Sequence, residues 1–191
     1  MDTDPLTDQE KDILLRLARE ALEAAVHQRP APPIPLEELP PRLQAHGASF
    51  VTLTIQGALR GCIGALEPFQ PLALDVSEHA VAAALHDYRF PNVEPDELPR
   101  IKIEVSCLTL PVPLDYREPE ELLTRLRPGI DGVTLRAEGR RATFLPQVWE
   151  KIPDPADFLS NLCYKMGAVP DLWRRKPMEV SIYQVEEFHE R

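Results

Sequence analysis

The chain has 191 residues, enough for one sizeable domain or for two small lobes that share a core. Its 21 basic and 31 acidic residues give a formal net charge of −10. Because an acidic surface repels phosphate backbones, the composition argues against a nucleic-acid partner. The first ten residues lack the apolar core of a signal peptide, and no apolar run reaches the roughly 18 residues of a membrane span. We therefore predict a cytoplasmic protein without membrane contact.

The chain has three cysteines, Cys62, Cys107 and Cys163, and none of them forms a CxxC pair. An odd number cannot pair completely within one chain, so we predict reduced thiols and no metal site. The sequence also lacks the glycine-rich phosphate loops and the HExxH pattern of the large enzyme classes, which leaves any cofactor unknown.

A helix is predicted over residues 7–28, because Thr7 is followed three residues later by Glu10, the pattern of a capping box. Apolar residues then recur at helical spacing. A proline-rich stretch over residues 30–41 excludes regular helix and central strand, so we interpret it as an ordered connector rather than a domain boundary.

A β-hairpin follows the connector. Apolar residues alternate with threonines over 51–55, residues 56–58 form a turn, and a second strand covers 59–64. A helix is then predicted from Pro71 to about residue 86. A two-residue turn would place Cys62 on the face of Val51, whereas a three-residue turn would place it on the threonine face. The sequence leaves both open.

The remaining segments continue the mixture of strands and helices. The predicted elements are a strand over 101–107, a short helix over 118–126, a hairpin over 132–135 and 141–145, a helix over 157–166 and a strand over 180–185.

The two hairpins resemble each other. Val51-Thr52-Leu53 recurs as Val133-Thr134-Leu135, and a glycine, a proline and a helix follow in both places. We predict two related repeats, 47–110 and 111–188, within a single domain spanning 1–191. In an ungapped alignment of the repeats, Arg60 matches Ala142 and Cys62 matches Phe144, so the Arg/Cys pair belongs to the first repeat alone.

Arg60 and Cys62 are the strongest candidates for chemistry. Residues i and i+2 of a regular strand share a face, roughly 6.5 Å apart. A guanidinium at that distance favours a thiolate. The backbone N–H groups of Gly61 and Gly64 could approach an anion closely, since glycine has no side chain. The alternative is structural, because a free cysteine is often a small buried apolar residue.

A cysteine nucleophile requires a base. His46 precedes the first strand and His86 ends the helix after the hairpin, so both are candidate catalytic residues. His79 lies seven residues before His86 on the same predicted helix and is a further candidate. Asp87 and Arg89 are candidate binding residues that could face Cys62. Their alternative role is a local ion pair that organises the turn.

Several segments together are similar to the AMMECR domain family, known in bacteria and archaea as protein A of the AmmeMemoRadiSam system. These segments are Phe50-Val51-Thr52-Leu53, Leu59-Arg60-Gly61-Cys62-Ile63-Gly64, Asp87-Tyr88-Arg89-Phe90-Pro91, Val105-Ser106, Phe144-Leu145-Pro146-Gln147-Val148 and Leu162-Cys163-Tyr164-Lys165-Met166-Gly167. The resemblance implies an α+β fold with a largely antiparallel, partly barrel-like sheet built from two related β-rich repeats flanked by helices.

The resemblance implies genomic neighbours but no reaction. A Memo-type protein and a radical-SAM enzyme are commonly encoded beside family members, which implies a shared pathway. Two hypotheses follow: a thiol-dependent enzyme or enzyme subunit that acts through Cys62 in a small-molecule cleft, and a non-catalytic adaptor module for those two partners.

Overall fold

The computed structural model describes residues 5–191. Its helices are α1 (Asp8–Val26), α2 (Pro41–Gln44), α3 (Leu72–Leu85), α4 (Glu121–Arg125), α5 (Pro155–Lys165) and α6 (Leu172–Arg175). Its strands are β1 (His46–Ile55), β2 (Ala58–Gly64), β3 (Gln70–Pro71), β4 (Ile101–Leu108), β5 (Val112–Pro113), β6 (Gly132–Ala137), β7 (Arg140–Phe144), β8 (Glu179–Tyr183) and β9 (Val185–His189). Short 3-10 turns cover Leu36–Glu38, Leu98–Arg100 and Pro146–Glu150. These elements form two compact units, residues 1–109 with 186–191 and residues 110–185.

The first unit is built on a sheet in the order β2-β1-β4-β9, with β3 paired to the start of β1. Strand β1 runs antiparallel to β2, β3 and β4. Helix α3 packs on β1 and β2, and α1 packs on α3. Val51 and Leu53 on β1 and Ile103 on β4 are fully buried, whereas Thr52 on the alternate face of β1 is half-buried. The core of this unit therefore lies between the sheet and α3.

Helix α1 begins as its sequence predicts. The Thr7 hydroxyl accepts from the Glu10 N–H at 3.2 Å, and the Glu10 carboxylate accepts from the Thr7 N–H at 2.8 Å. These two bonds satisfy donors that every helix N-terminus leaves open. Leu14, Leu17 and Leu22 then bury the apolar stripe of the helix.

The second unit has a sheet in the order β5-β8-β6-β7, with α5 packed on β7. Trp149 stacks on Phe158 with ring centroids 3.6 Å apart, and Phe144 meets Phe158 edge to face. These rings sit among buried leucines of α5 and form a second core.

The α+β class with antiparallel strands is confirmed, but residues 5–191 form two open sheets rather than a closed barrel. Strands β3, β5 and β9 are not evident in the sequence. Two of them have only two residues and contain proline, so they show no alternation. Helix α3 begins at Leu72, and Pro71 precedes it as the N-cap. Within the described residues, no helix is long and apolar enough to cross a bilayer.

Candidate functional site

The first hairpin combines a tight turn with a β-bulge. Gln56 and Gly57 have φ values of 52° and 80°, so the loop is a two-residue turn that joins Ile55 to its partner Ala58. Positive φ at both positions gives a type I′ turn, which matches the twist of the strands. The pairing then shifts by one residue, because Leu59 opposes Thr54 and Gly61 opposes Leu53. Arg60 is the extra residue of the bulge.

The bulge sets the face on which Cys62 lies. Cys62 opposes Thr52, and the Thr52 hydroxyl donates to the Cys62 Sγ at 3.3 Å. The turn is therefore the two-residue one, yet the thiol lies on the threonine face, because the extra residue reverses the alternation between the turn and Cys62. The Cys62 side chain is half-buried and points away from the fully buried Val51 and Leu53.

Arg60 is held by groups other than Cys62. Its Nε donates to Glu97 Oε1 at 2.7 Å, and its Nη1 and Nη2 donate to the carbonyls of Pro91 and Asn92. Both side chains of the ion pair are largely buried. Their hydrogen bond raises the pKa of Arg60 and lowers the pKa of Glu97. The expectation that Arg60 and Cys62 share a face rested on unbroken alternation, and the bulge removes that basis.

Asp87 and Arg89 contact the backbone of Cys62 on both sides. The Cys62 N–H donates to Asp87 Oδ2 at 2.8 Å, and Arg89 Nη2 donates to the Cys62 carbonyl at 3.1 Å. The carboxylate and guanidinium also pair directly, through Nε to Oδ1 at 2.8 Å and Nη2 to Oδ2 at 2.6 Å. Asp87 is buried, whereas Arg89 is exposed. The local ion pair is therefore present, and both side chains also contact Cys62. The predicted binding role of Asp87 and Arg89 stays a prediction.

The ion pair shifts the pKa values of both of its members. Hydrogen bonds from Arg89 hold the pKa of Asp87 well below its usual range, helped by the Cys62 N–H and opposed by burial. The Asp87 carboxylate in turn raises the pKa of Arg89. The guanidinium that contacts Cys62 directly is therefore that of Arg89, which donates to the Cys62 carbonyl.

Gly61 and Gly64 occupy crowded positions. A Cβ at Gly61 would lie 2.1 Å from the carbonyl oxygen of Ala83 in α3, and a Cβ at Gly64 would lie 2.4 Å from the Phe50 ring and the Ser49 carbonyl. The predicted anion-binding role of these glycines stays a prediction. Their packing role follows directly from the close approach of the helix and strand backbones.

The histidines are dispersed. His46 is exposed at the start of β1, opposite Pro71 and six residues, or roughly 20 Å, along the strand from Thr52. His86 is exposed as the C-cap of α3, immediately before Asp87. Within residues 5–191, neither histidine forms a hydrogen bond with the Cys62 thiol.

His79 belongs to a separate buried cluster that sequence reasoning missed. Its Nδ1 lies 3.1 Å from Asp75 Oδ2 and 3.4 Å from the Ser49 hydroxyl, which itself donates to Asp75 Oδ2 at 2.6 Å. Ser49 is fully buried, so its hydroxyl is inaccessible as a nucleophile. The available signal was Asp75, an acidic residue in the first turn of α3 that lies four positions before His79.

The three thiols differ in environment. Cys107 and Cys163 are buried, and burial raises the pKa of Cys107 to about 12 and raises that of Cys163. Cys62 is half-buried and carries hydroxyl and cationic neighbours. In the part of the chain that the structure describes, no three His, Cys, Asp or Glu side chains are close enough to hold a metal ion.

The second hairpin reproduces the pairing of the first without the bulge. Glu138 and Gly139 form the two-residue turn, with φ values of 53° and 72°. Thr134 opposes Thr143 and donates to its hydroxyl at 3.0 Å, as Thr52 does to Cys62. By strand register, Cys62 therefore corresponds to Thr143 rather than Phe144, and Arg60 has no counterpart.

Comparison with known proteins identifies the family of the chain. The AMMECR1 family model matches residues 15–188. A protein of Methanothermobacter thermautotrophicus is 38% identical over 192 residues, covering 97% of each chain. A protein of Methanocaldococcus jannaschii is 33% identical over 192 residues, covering 97% of this chain and 92% of the relative.

The chain is also similar to a protein of known structure. The crystal structure of an uncharacterized protein from Pyrococcus horikoshii matches with a TM-score of 0.81 and 33% identity, covering 97% of this chain and 94% of that one. The chain belongs to the AMMECR1 family.

Proposed function

We propose that the chain is a thiol-dependent enzyme or enzyme subunit that acts on a small molecule through Cys62. The observation that carries the proposal is the contrast among the three thiols. Cys62 is half-buried, with a hydroxyl donating to its sulfur and a guanidinium donating to its carbonyl, whereas Cys107 and Cys163 are buried thiols whose pKa values are raised. A thiolate is the nucleophilic form of cysteine, and cationic neighbours favour it.

In this proposal Arg89 supplies the cation beside the thiol, while Asp87 positions both. The buried Asp87 carboxylate binds the Cys62 N–H and the Arg89 guanidinium together, so it fixes their relative position. Thr52 donates to the sulfur and would stabilise negative charge on it. Arg60 would then act through Glu97, by fixing the chain that follows α3.

A base remains part of the proposal. Of the two candidate histidines, His86 is the better placed, because it directly precedes Asp87 and is exposed at the end of α3. His46 lies at the far end of β1.

The experiment compares two arginines by alkylating the folded protein with iodoacetamide and following each cysteine by mass spectrometry. We expect Arg89→Gln to slow the labelling of Cys62 about fivefold, since removing a close cation disfavours the thiolate. Arg60→Gln should slow it less than twofold, because Glu97 already neutralises that charge.

A matched control is available in the second unit. Arg127 pairs with the buried Asp131 as Arg89 pairs with Asp87, and both arginines are about half exposed. Arg127→Gln should leave Cys62 labelling unchanged. A greater effect of Arg60→Gln than of Arg89→Gln would return the activating role to Arg60, and equal slow labelling of all three thiols would remove the proposed function.

A second candidate is the non-catalytic adaptor for a Memo-type protein and a radical-SAM enzyme. It is supported by two exposed apolar side chains next to the site, Tyr88 at 95% and Leu59 at 45% exposure. Exposed aromatic residues often anchor protein interfaces. Tyr88→Ala should abolish co-purification with these partners under reducing, anaerobic conditions, with Tyr164→Ala as the exposed control in the second unit. The absence of any association of the wild type would count against this candidate.

We also propose that residues 47–110 and 111–188 are related repeats. The two-residue turns, the paired Thr52/Cys62 and Thr134/Thr143 positions and the helix after each hairpin support this relation. A structure-based superposition of the two hairpin-and-helix segments tests it. Strand directions or helix positions that fail to superpose would contradict it.

A further inference from the structure

Among residues 5–191, strand β2 lies at the edge of the first sheet, so alternate backbone groups on its outer side face no neighbouring strand of the described chain. At Cys62 these groups have side-chain partners instead. Asp87 accepts from the Cys62 N–H, and Arg89 donates to the Cys62 carbonyl. An antiparallel neighbour would supply the same acceptor and donor from its own backbone. The two side chains therefore make the hydrogen bonds to Cys62 that a neighbouring strand would make.

The second sheet has a related contact at its own edge. Strand β7 ends the order β5-β8-β6-β7, and the Thr143 carbonyl accepts from Lys165 Nζ at 2.8 Å. Thr143 is the register equivalent of Cys62, and Lys165 lies at the end of α5 as Arg89 lies just after α3. In both sheets a cation at the end of the following helix, or just after it, donates to the edge carbonyl at the same register position.

We propose that Asp87 and Arg89 are an edge guard, which prevents β2 from pairing with β2 of a second copy of this chain. Exposed strand edges template pairing with other chains, and charged side chains and bulges are the usual protection. Both protections are present at β2. Asp87 and Arg89 supply the charged side chains, and Arg60 forms a bulge within the strand. The guard depends on the edge position of β2 and is independent of the thiol chemistry proposed above.

A second copy is the occupant that the edge fits best. Two identical strands can pair antiparallel about a twofold axis, so that each contributes the same donors and acceptors. Leu59 is 45% exposed on β2 and would come close to the same strand of the partner copy. Removing the guard therefore exposes unpaired backbone next to an apolar side chain.

The test is the self-association of Asp87→Ala/Arg89→Ala, measured by sedimentation velocity over a concentration series. Replacing both residues leaves neither charge unpaired. We expect association about tenfold tighter than that of the wild type. Arg127→Ala/Asp131→Ala is the matched control, because it removes an ion pair of similar exposure in the second unit and should keep wild-type association.

A rescue variant locates the new contact. Cys62→Pro added to the double variant removes the outward N–H, and edge strands tolerate proline where that group has no ladder partner. Association should then return to the wild-type level. Unchanged association of the double variant, or association that the proline leaves intact, overturns the proposal.

A single variant covers the case in which the double variant does not fold, which circular dichroism would reveal. Arg89→Ala keeps Asp87 on the Cys62 N–H and uncovers only the carbonyl. It should associate more tightly than the wild type. Wild-type association of a folded Arg89→Ala protein also overturns the proposal.

Discussion

At the scale of single residues, the position of Cys62 depends on partners that are distant in sequence. Its sulfur contacts Thr52, and its backbone contacts Asp87 and Arg89. The neighbour in the sequence, Arg60, is turned to Glu97. The motif contains Cys62, but the chain after α3 supplies the two charged side chains that contact its backbone.

Gly61 is predicted to be essential for packing. Gly61→Ala should destabilise the protein by about 3 kcal/mol, because the added methyl group would lie against the Ala83 carbonyl, and backbone atoms cannot move aside cheaply. Gly57→Ala should cost only about 1 kcal/mol, since that position has open space and only its positive φ is strained. Urea unfolding measures both, and equal losses would contradict the packing explanation.

Asp87 predicts a pH dependence of stability. Its pKa is lowered in the folded protein, so the stabilisation is present above the unfolded value of about 4 and is lost as the pH falls through the folded value. Asp87→Asn should therefore give a flatter fall in the free energy of unfolding below about pH 4, by up to ~1.4 kcal/mol per pH unit. The measurement is urea unfolding between pH 2 and pH 6, with neighbouring Asp96→Asn as the exposed control. Parallel curves for the wild type and Asp87→Asn would exclude this role.

At the scale of elements, the bulge at Arg60 determines the face of β2 on which Cys62 lies. The sequence does not predict this bulge. The alternation of β1 and the glycine of the turn predict the hairpin, and both are present in the structure. An extra residue at Arg60 leaves no mark on the alternation of apolar and polar residues along the strand, because an arginine is compatible with either face. The sequence therefore predicts the elements well but assigns Arg60 and Cys62 to the same face.

Deleting Arg60 tests the bulge. Gly61 should still oppose Leu53 and Cys62 should still oppose Thr52, since Arg60 has no partner on β1 and the second hairpin has the same register without it. We expect the protein to lose the Glu97 ion pair but to keep Cys62 labelling within about twofold of the wild-type rate. A thiol that becomes as slow as Cys107 would show that the register depends on Arg60.

At the scale of the whole molecule, the charge is divided unevenly between the units. Residues 1–109 and 186–191 contain 10 basic and 20 acidic residues, a net of −10, and residues 110–185 contain 11 of each, a net of zero. Composition alone gives the total but not this division, because the boundary at residue 109 is defined by contacts in the folded chain. The acidic charge therefore belongs to the unit that carries Cys62.

This division predicts weak interaction with nucleic acids. The chain should not retard a short DNA duplex in a gel at about 50 mM salt, where basic proteins bind through counterion release. Residues 110–185 have no net charge, so they do not offset the negative charge of the first unit. A shift that disappears with added salt would contradict this expectation.

The most direct test of the central claim is the alkylation rate of each cysteine in the folded wild-type protein. A neutral reagent, iodoacetamide, and peptide mass spectrometry give the three rates in one sample. Cys62 should react at least about tenfold faster than Cys107 and Cys163, because those thiols are buried and their raised pKa values disfavour the thiolate. Equal rates for the three thiols, or a faster reaction at Cys107 or Cys163, would contradict the account.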